Sequence, residues 1–138
     1  MKGDLTFTII KPNVVKKHKA GTVIQLIEDG GFEIVNMKMV QLSSQQAGEF
    51  YKEHEGKVFF DSLIDFMISD KIIVLVLKKV NAVESYRNFI GGATDPSQAK
   101  EGSIRQLFGD SVTKNAVHGS DSDLSAKREI NFFFKNVE

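Results

Sequence analysis

The sequence contains no cysteine, which excludes disulfides, thiolate zinc sites and thiol nucleophiles and makes a reducing compartment harmless to the fold. It has no excess of either charge. Eighteen Lys and Arg balance eighteen Asp and Glu over 138 residues, so no overall field draws the chain to nucleic acid or anionic lipid, and any anion binding must be local. It has no long apolar run near its start: after Met1-Lys2-Gly3-Asp4 the run from Leu5 to Ile10 is only six residues. That is far short of a signal-peptide core or of the about 20 apolar residues that cross a membrane. A cytoplasmic protein with no membrane partner is expected. Repeats, low-complexity tracts and Pro/Gly/Ser-rich linkers are absent too, with two prolines in all, so residues 1–138 are expected to form one domain. The remainder, 41% hydrophobic and 26% charged, is close to the globular average and excludes a disordered polyelectrolyte.

What is present reads as alternating strands and helices. Leu5-Thr6-Phe7-Thr8-Ile9-Ile10 alternates as a strand that Pro12 stops. Val23, Ile24, Leu26 and Ile27 form a helical stripe closed by Gly30-Gly31. Val35, Met37 and Met39 alternate with Asn36 and Lys38, predicting a strand with one wet face. Ser43-Ser44-Gln45-Gln46 has capping-box spacing for a helix through about His54, and the apolar residues between Phe59 and Ile68 mark a second, its hairpin partner. Ile72 to Leu77 is apolar without alternation, as in a central strand, and Asn81 to Glu84 caps the next helix. From Gly91 to Lys114 periodicity fails, which predicts a long functional loop with one short helix near Ile104 to Phe108. Asn115 to His118 reads as a last short strand, and Ser122 or Asp123 caps a final helix that carries Leu124, Ala126 and Ile130 towards Phe132-Phe133-Phe134. Four strands are too few for a doubly wound sheet, so a small α+β sandwich fits best.

The stretch with most chemistry is Asn115-Ala116-Val117-His118-Gly119-Ser120-Asp121-Ser122. Histidine at a strand end, followed by glycine and small caps, leaves its ring clear, and a neutral imidazole can act as base, ligand or nucleophile. By itself such a residue is more often a surface or capping histidine. His18 and His54 lie among charged neighbours and read as solvated. The three histidines lack metal-ligand spacing. Ser120 lacks a nucleophile elbow, and Gly91-Gly92 matches neither a Walker nor a dinucleotide pattern. Phosphate binding without a glycine loop requires cations, for which Lys11, Arg87 and Arg105 are candidates. Each alone is an ordinary surface cation, just as Tyr51 and Phe59 alone are ordinary helix aromatics.

The joint pattern is more specific. Thr8-Ile9-Ile10-Lys11-Pro12, Gly91-Gly92-Ala93-Thr94-Asp95-Pro96, Glu101-Gly102-Ser103-Ile104-Arg105 and the His118 stretch together make the chain resemble the nucleoside diphosphate kinases. The resemblance implies a ferredoxin-like βαββαβ sandwich, a four-stranded antiparallel sheet covered by helices. It implies transfer of the γ-phosphate of a nucleoside triphosphate to a nucleoside diphosphate, ping-pong, through phosphohistidine at His118. It assigns Glu129 to the other imidazole nitrogen, with Ser120 helping to position it. Lys11, Tyr51, Arg87, Thr94, Arg105 and Asn115 match positions that hold phosphates, ribose hydroxyl or the transferring group. Phe59 matches the aromatic on which the base stacks, with Leu63 and Val112 as its apolar clamp. Magnesium is implied as a cofactor, carried mainly by nucleotide phosphates rather than by a protein cage, and a homo-oligomer, hexamer or tetramer, is implied as the assembly.

Some residues depart from the family pattern. Between Arg87 and Thr94 the chain carries one residue more, which the helix end or loop must absorb and which threatens to put Arg87 out of phase. Lys17-His18-Lys19-Ala20 stands where a basic-glycine pair is usual. Asn13 and Asp95 exchange amide and acid, changes that look peripheral. The sequence stops soon after Phe134, short of the tail of some relatives. The alternative from another class is a catalytically silent nucleotide-binding regulatory module of the same fold, against which His118, Glu129 and Lys11 argue. Binding of single-stranded nucleic acid is disfavoured by zero net charge and by aromatics that fall on helices.

Overall fold

Alternation in the first apolar run places Phe7 and Ile9 on one sheet face and Thr6, Thr8 and Ile10 on the other, and the computed structural model, which describes residues 3–134, buries both sets. This strand, β1 (Leu5–Ile10), is followed by α1 (Pro12–Lys16), α2 (Ala20–Asp29), β2 (Glu33–Val40), α3 (Ser44–Phe50), α4 (Phe60–Met67), β3 (Ile72–Lys78), α5 (Ala82–Ile90), α6 (Ile104–Phe108), β4 (Val117–Gly119) and α7 (Asp123–Phe133). Short 3-10 turns occur at Lys52–His54 and Pro96–Gln98. The strands form one antiparallel sheet in the order β2-β3-β1-β4. The chain is thus an α+β sandwich of βαββαβ order with the α3/α4 pair between β2 and β3.

Each sheet face buries its own core. Phe7, Ile9, Val74 and Val76 pack with residues of α3, α4 and α7. Ile10, Ile73, Leu75 and Leu77 pack with Val23 and Ile27 of α2 and with Tyr86 and Ile90 of α5. All six residues Ile72 to Leu77 are buried, because β3 has a strand on either side and helices on both faces. At roughly 25 cal/mol per Å² of apolar surface removed from water, such side chains contribute about 1.5–3 kcal/mol each, so this strand fixes the register of the others.

Several elements differ from the sequence expectations. Pro12 both stops β1 and opens a short helix, since proline fits the first helical position, and α1 precedes the expected helix at Ala20. The helix capped by Ser43 has both reciprocal bonds of a capping box but ends at Phe50, with a 3-10 turn completing the run to His54. Asn81 opens α5 without a side-chain cap because its backbone is left-handed, φ 53°. The last strand begins two residues later than expected and ends one residue later, at Val117–Gly119. On β2 both faces are exposed rather than one: a bulge after Ile34 and the edge position leave Val35, Met37 and Met39 uncovered as well as the polar side.

Candidate active site

His118 sits in the middle of β4, opposite Ile9 of β1. Phe7 and Phe50 meet its ring edge-on, with centroids 6.1 and 5.8 Å away, which fixes the imidazole plane. Its Nε2 is 2.8 Å from Glu129 Oε1, and the Ser120 hydroxyl donates to that same oxygen at 2.7 Å. Ser120 in turn accepts from the Phe7 N–H at 3.3 Å. Glu129 is 4% exposed and Ser120 fully buried, so the carboxylate is held from two sides. A carboxylate accepts, so the proton belongs on Nε2 and the lone pair on Nδ1. Nδ1 has no hydrogen-bond partner among the described residues.

The ring lies on the wall of a cleft of about 480 Å³. Lys11, Tyr51, Phe59, Leu63, Arg87, Thr94, Arg105, Val112, Asn115 and Glu129 line the same cleft; Ser120 stands behind it. Residues up to 118 positions apart, Lys11 and Glu129, are therefore gathered within one cavity by the sheet order, β1 delivering Lys11, β4 delivering His118, the loop before β4 delivering Val112 and Asn115, and α7 delivering Glu129. The additional residue between Arg87 and Thr94 does not put Arg87 out of phase. Gly91 ends α5 at φ 144° and Gly92 follows at φ 76°, and a Cβ on Gly91 would stand 2.8 Å from that of Ala99. Two glycines in conformations that other residues avoid turn the chain just after the helix, and Arg87 before them lines the cleft.

The cations are held by the chain itself. Lys11 Nζ donates to Asn115 Oδ1 at 2.8 Å and to the Thr113 carbonyl at 3.3 Å, and Asn115 donates to the Thr94 carbonyl at 3.1 Å. Burial, and then the neighbouring Arg105 charge, bring Lys11 down to about 7. Arg105 donates to the carbonyls of Ala93 at 3.0 Å and Val117 at 3.1 Å; burial lowers it to about 10, so it stays charged at neutral pH. Arg87 reaches the Gly119 carbonyl at 3.5 Å. Arg105 Nε and Tyr51 OH are buried without partners. Burial, and then Glu129, push the Tyr51 phenol up, so it keeps its proton as a donor. Unmet donors and mutually repelling cations in a cleft favour an anion.

His54, expected to be solvated, lines this cleft, as do Glu53, Thr113 and Asp121. Its ring centroid is 5.5 Å from that of Phe59 and 6.3 Å from that of Tyr51. The signal was its spacing: residues three apart in a 3-10 turn eclipse, so a helix that tightens after Phe50 turns His54 to the side of Tyr51. His18 is exposed, as expected.

A family model described as nucleoside diphosphate kinase matches residues 4–138. A nucleoside diphosphate kinase of Glaesserella parasuis serovar 5 (strain SH0165) is 50% identical over 133 residues, covering 96% of each chain. Among solved structures, the nucleoside diphosphate kinase of Aquifex aeolicus superposes with a TM-score of 0.91 at 37% identity over 96% of each chain. That of Halobacterium salinarum, solved in complex with CDP, gives 0.92 at 33% identity over 97% of this chain and 89% of its own.

Proposed function

The chain belongs to the nucleoside diphosphate kinase family and is a phosphotransferase, and from that premise we propose that Nδ1 of His118 carries the phosphoryl group between nucleotides. The observation behind this reading is an imidazole with one nitrogen held by Glu129 and the other unpartnered, on the wall of a cleft that also contains Lys11, Arg87 and Arg105. The Nδ1 lone pair attacks the γ-phosphorus of a nucleoside triphosphate; the N–P bond forms as the bond to the β-phosphate oxygen breaks, and the diphosphate leaves. A second diphosphate then attacks through its terminal oxygen, the P–N bond breaks, and the imidazole is regenerated. Glu129 keeps the Nε2 proton in place through both steps, so no tautomer change is needed.

Phosphoryl transfer has a loose transition state with charge on the equatorial oxygens, so positioned cations and donors do most of the work. Arg87, Arg105, Thr94 and the Tyr51 hydroxyl serve the phosphates, and Lys11 with Asn115 the ribose and transferring group. Phe59, 44% exposed, offers its face to a base, and Leu63 and the half-exposed Val112 close on it. Stacking with few base-edge hydrogen bonds accepts any base. The nucleotide bound by the Halobacterium relative is of this class.

The family also implies magnesium. Among the described residues no group of three or more His, Cys, Asp or Glu is arranged to hold a metal, and cations and neutral donors dominate the cleft, which fits an ion that travels on the nucleotide phosphates. Asp121, held below the usual carboxylate range by a hydrogen bond from Ser125 and further by Arg87, would meet it through water. When bound, the ion neutralises phosphate charge. The protein acts in the cytoplasm as one domain and as a homo-oligomer, the bare edge strand β2 being the surface that supports assembly.

Mixing the protein with γ-labelled triphosphate and magnesium, without acceptor, is expected to give an acid-labile, alkali-stable phosphoprotein that His118→Ala cannot form. Nucleotide binding without any labelled protein would instead leave a silent regulatory module.

A further inference from the structure

β4 is three residues long, lies at the sheet edge, and has β1 as its one strand neighbour over three residue pairs. A strand so short needs other anchors to hold a nucleophile to a few tenths of an ångström. Each of its carbonyls has one. Val117 O accepts from Arg105 at 3.1 Å, Gly119 O from Arg87 at 3.5 Å, and His118 O from the Thr8 hydroxyl at 2.7 Å. Two of these donors are guanidinium groups that a polyphosphate would compete for. The third does not face the substrate.

Resting on the reading of His118 as phosphoryl carrier, we infer that Tyr86 and Thr8 are positioning residues, a buried hydroxyl relay that holds the His118 backbone while the arginines serve phosphate. The direction of the relay follows from proton counting. Thr8 has one hydroxyl proton, and it is committed to a carbonyl that can only accept. The 2.7 Å contact between Thr8 Oγ1 and Tyr86 OH is therefore the phenol donating to the threonine. Both side chains are fully buried, so water offers neither an alternative partner. Burial also pushes the Tyr86 phenol up, so the donor keeps its proton throughout the working range.

The phenol ring is itself fixed. It meets Phe32 edge-on at 5.3 Å and 88°, and its Cδ2 lies 3.4 Å from where a Cβ on Gly119 would stand. A side chain on Gly119 would press on Ile90 Cδ1 at 3.3 Å and on this ring, so the ring and Ile90 together limit how far β4 can move toward α5. Tyr86 precedes Arg87 on the same helix, so one segment provides both a phosphate cation and the brace of the nucleophile.

The test is single-turnover phosphorylation by labelled triphosphate, with nucleotide dissociation constants measured in parallel. Thr8→Val is expected to slow phosphorylation about ten-fold and Tyr86→Phe about three-fold, the scale of a buried hydrogen bond, with nucleotide affinity unchanged because neither residue lines the cleft. Thr8→Ser is expected to restore the rate. Because the phenol acts only through the threonine hydroxyl, Tyr86→Phe is expected to add nothing in the Thr8→Val background. Should Thr8→Val fail to fold, the carbonyl ¹³C resonance of His118 is expected to move in Tyr86→Phe. Unchanged rates, effects that multiply, or an unmoved resonance would overturn the relay. Absence of label on the wild-type protein would instead overturn the assignment of His118.

Discussion

One side of the His118 ring is anchored in carboxylate and the other is open, and Lys11 beside it is the residue whose charge depends most on whether a nucleotide is present. Its value in the folded, nucleotide-free protein, about 7, lies below its ordinary 10.5. Between those values the unfolded chain binds more protons than the folded one. The cost of burying Lys11 is therefore fully felt below about pH 7 and relieved as pH rises toward 10.5. Phosphate oxygens favour the ammonium form, so at about pH 8.5 nucleotide binding is expected to take up close to one proton, and affinity to fall as pH rises further. Calorimetry in buffers of different ionisation enthalpy measures this directly; equal heats in all buffers would refute it. A simpler residue effect is His18, which occupies φ 60°, a conformation that favours glycine. His18→Gly is expected to raise stability by about 0.5–1 kcal/mol by relieving that strain, read as an increase in melting temperature. His118, Lys11 and Arg105 were legible in sequence because contiguous motifs carry them. Tyr86 was not, since its meaning arises only when a neighbouring strand packs on it, and His54 offered only its spacing from Tyr51, which counts once the turn tightens.

At the scale of elements, the long aperiodic segment from Gly91 to Lys114 was legible as functional, yet what ties it down was not. Asn13 of α1, whose exchange of acid for amide looked peripheral, donates to Asp110 Oδ2 at 3.1 Å and to the carbonyls of Phe108 at 3.3 Å and Lys114 at 3.1 Å. Lys17 grips both oxygens of Asp110 at 2.7 and 2.8 Å, and that bond, aided by Asn13, holds the carboxyl below its usual range. Asn13 of α1 and Lys17 just after that helix thus clamp the loop that presents Val112 to the cleft. An amide is required there because an acid would face Asp110 and two carbonyls with no donor. Asn13→Asp is expected to raise the nucleotide KM about five-fold, the order expected for losing a charge-assisted hydrogen bond, with little change in the saturated rate. Asp110→Asn in the same protein is expected to recover most of the loss by restoring a donor across the pair. A KM unmoved by the first change would mean that the loop is held elsewhere.

On the scale of the molecule, the sheet has two unequal edges. The β4 edge ends in the cleft, whereas β2, paired with β3 on its inner side, has no strand on its outer side among the described residues and carries Val35, Met37 and Met39 at 39, 47 and 54% exposure. Alternation in the sequence marked this segment as a strand with one wet face, and composition could not say that both faces would lie open. An exposed strand edge is a template for another strand. The surface most complementary to it is a second β2 related by a two-fold axis, since antiparallel pairing is self-complementary and gives a closed, isologous contact. Met37 and Met39 of each copy would then leave water together. A carboxylate placed in that row has no partner across the axis except its own copy, so Met37→Glu is expected to reduce the mass measured by light scattering to that of a smaller species. Because Lys11, Arg105 and His118 are each held by hydrogen bonds to their own chain, the dissociated protein is expected to retain phosphoenzyme formation at a rate within about three-fold of the parent, a change smaller than loss of any one charged contact would cause. Unchanged mass would remove β2 as the assembly surface. Loss of labelling together with loss of mass would show that the single chain holds its cleft open only with a neighbour's support.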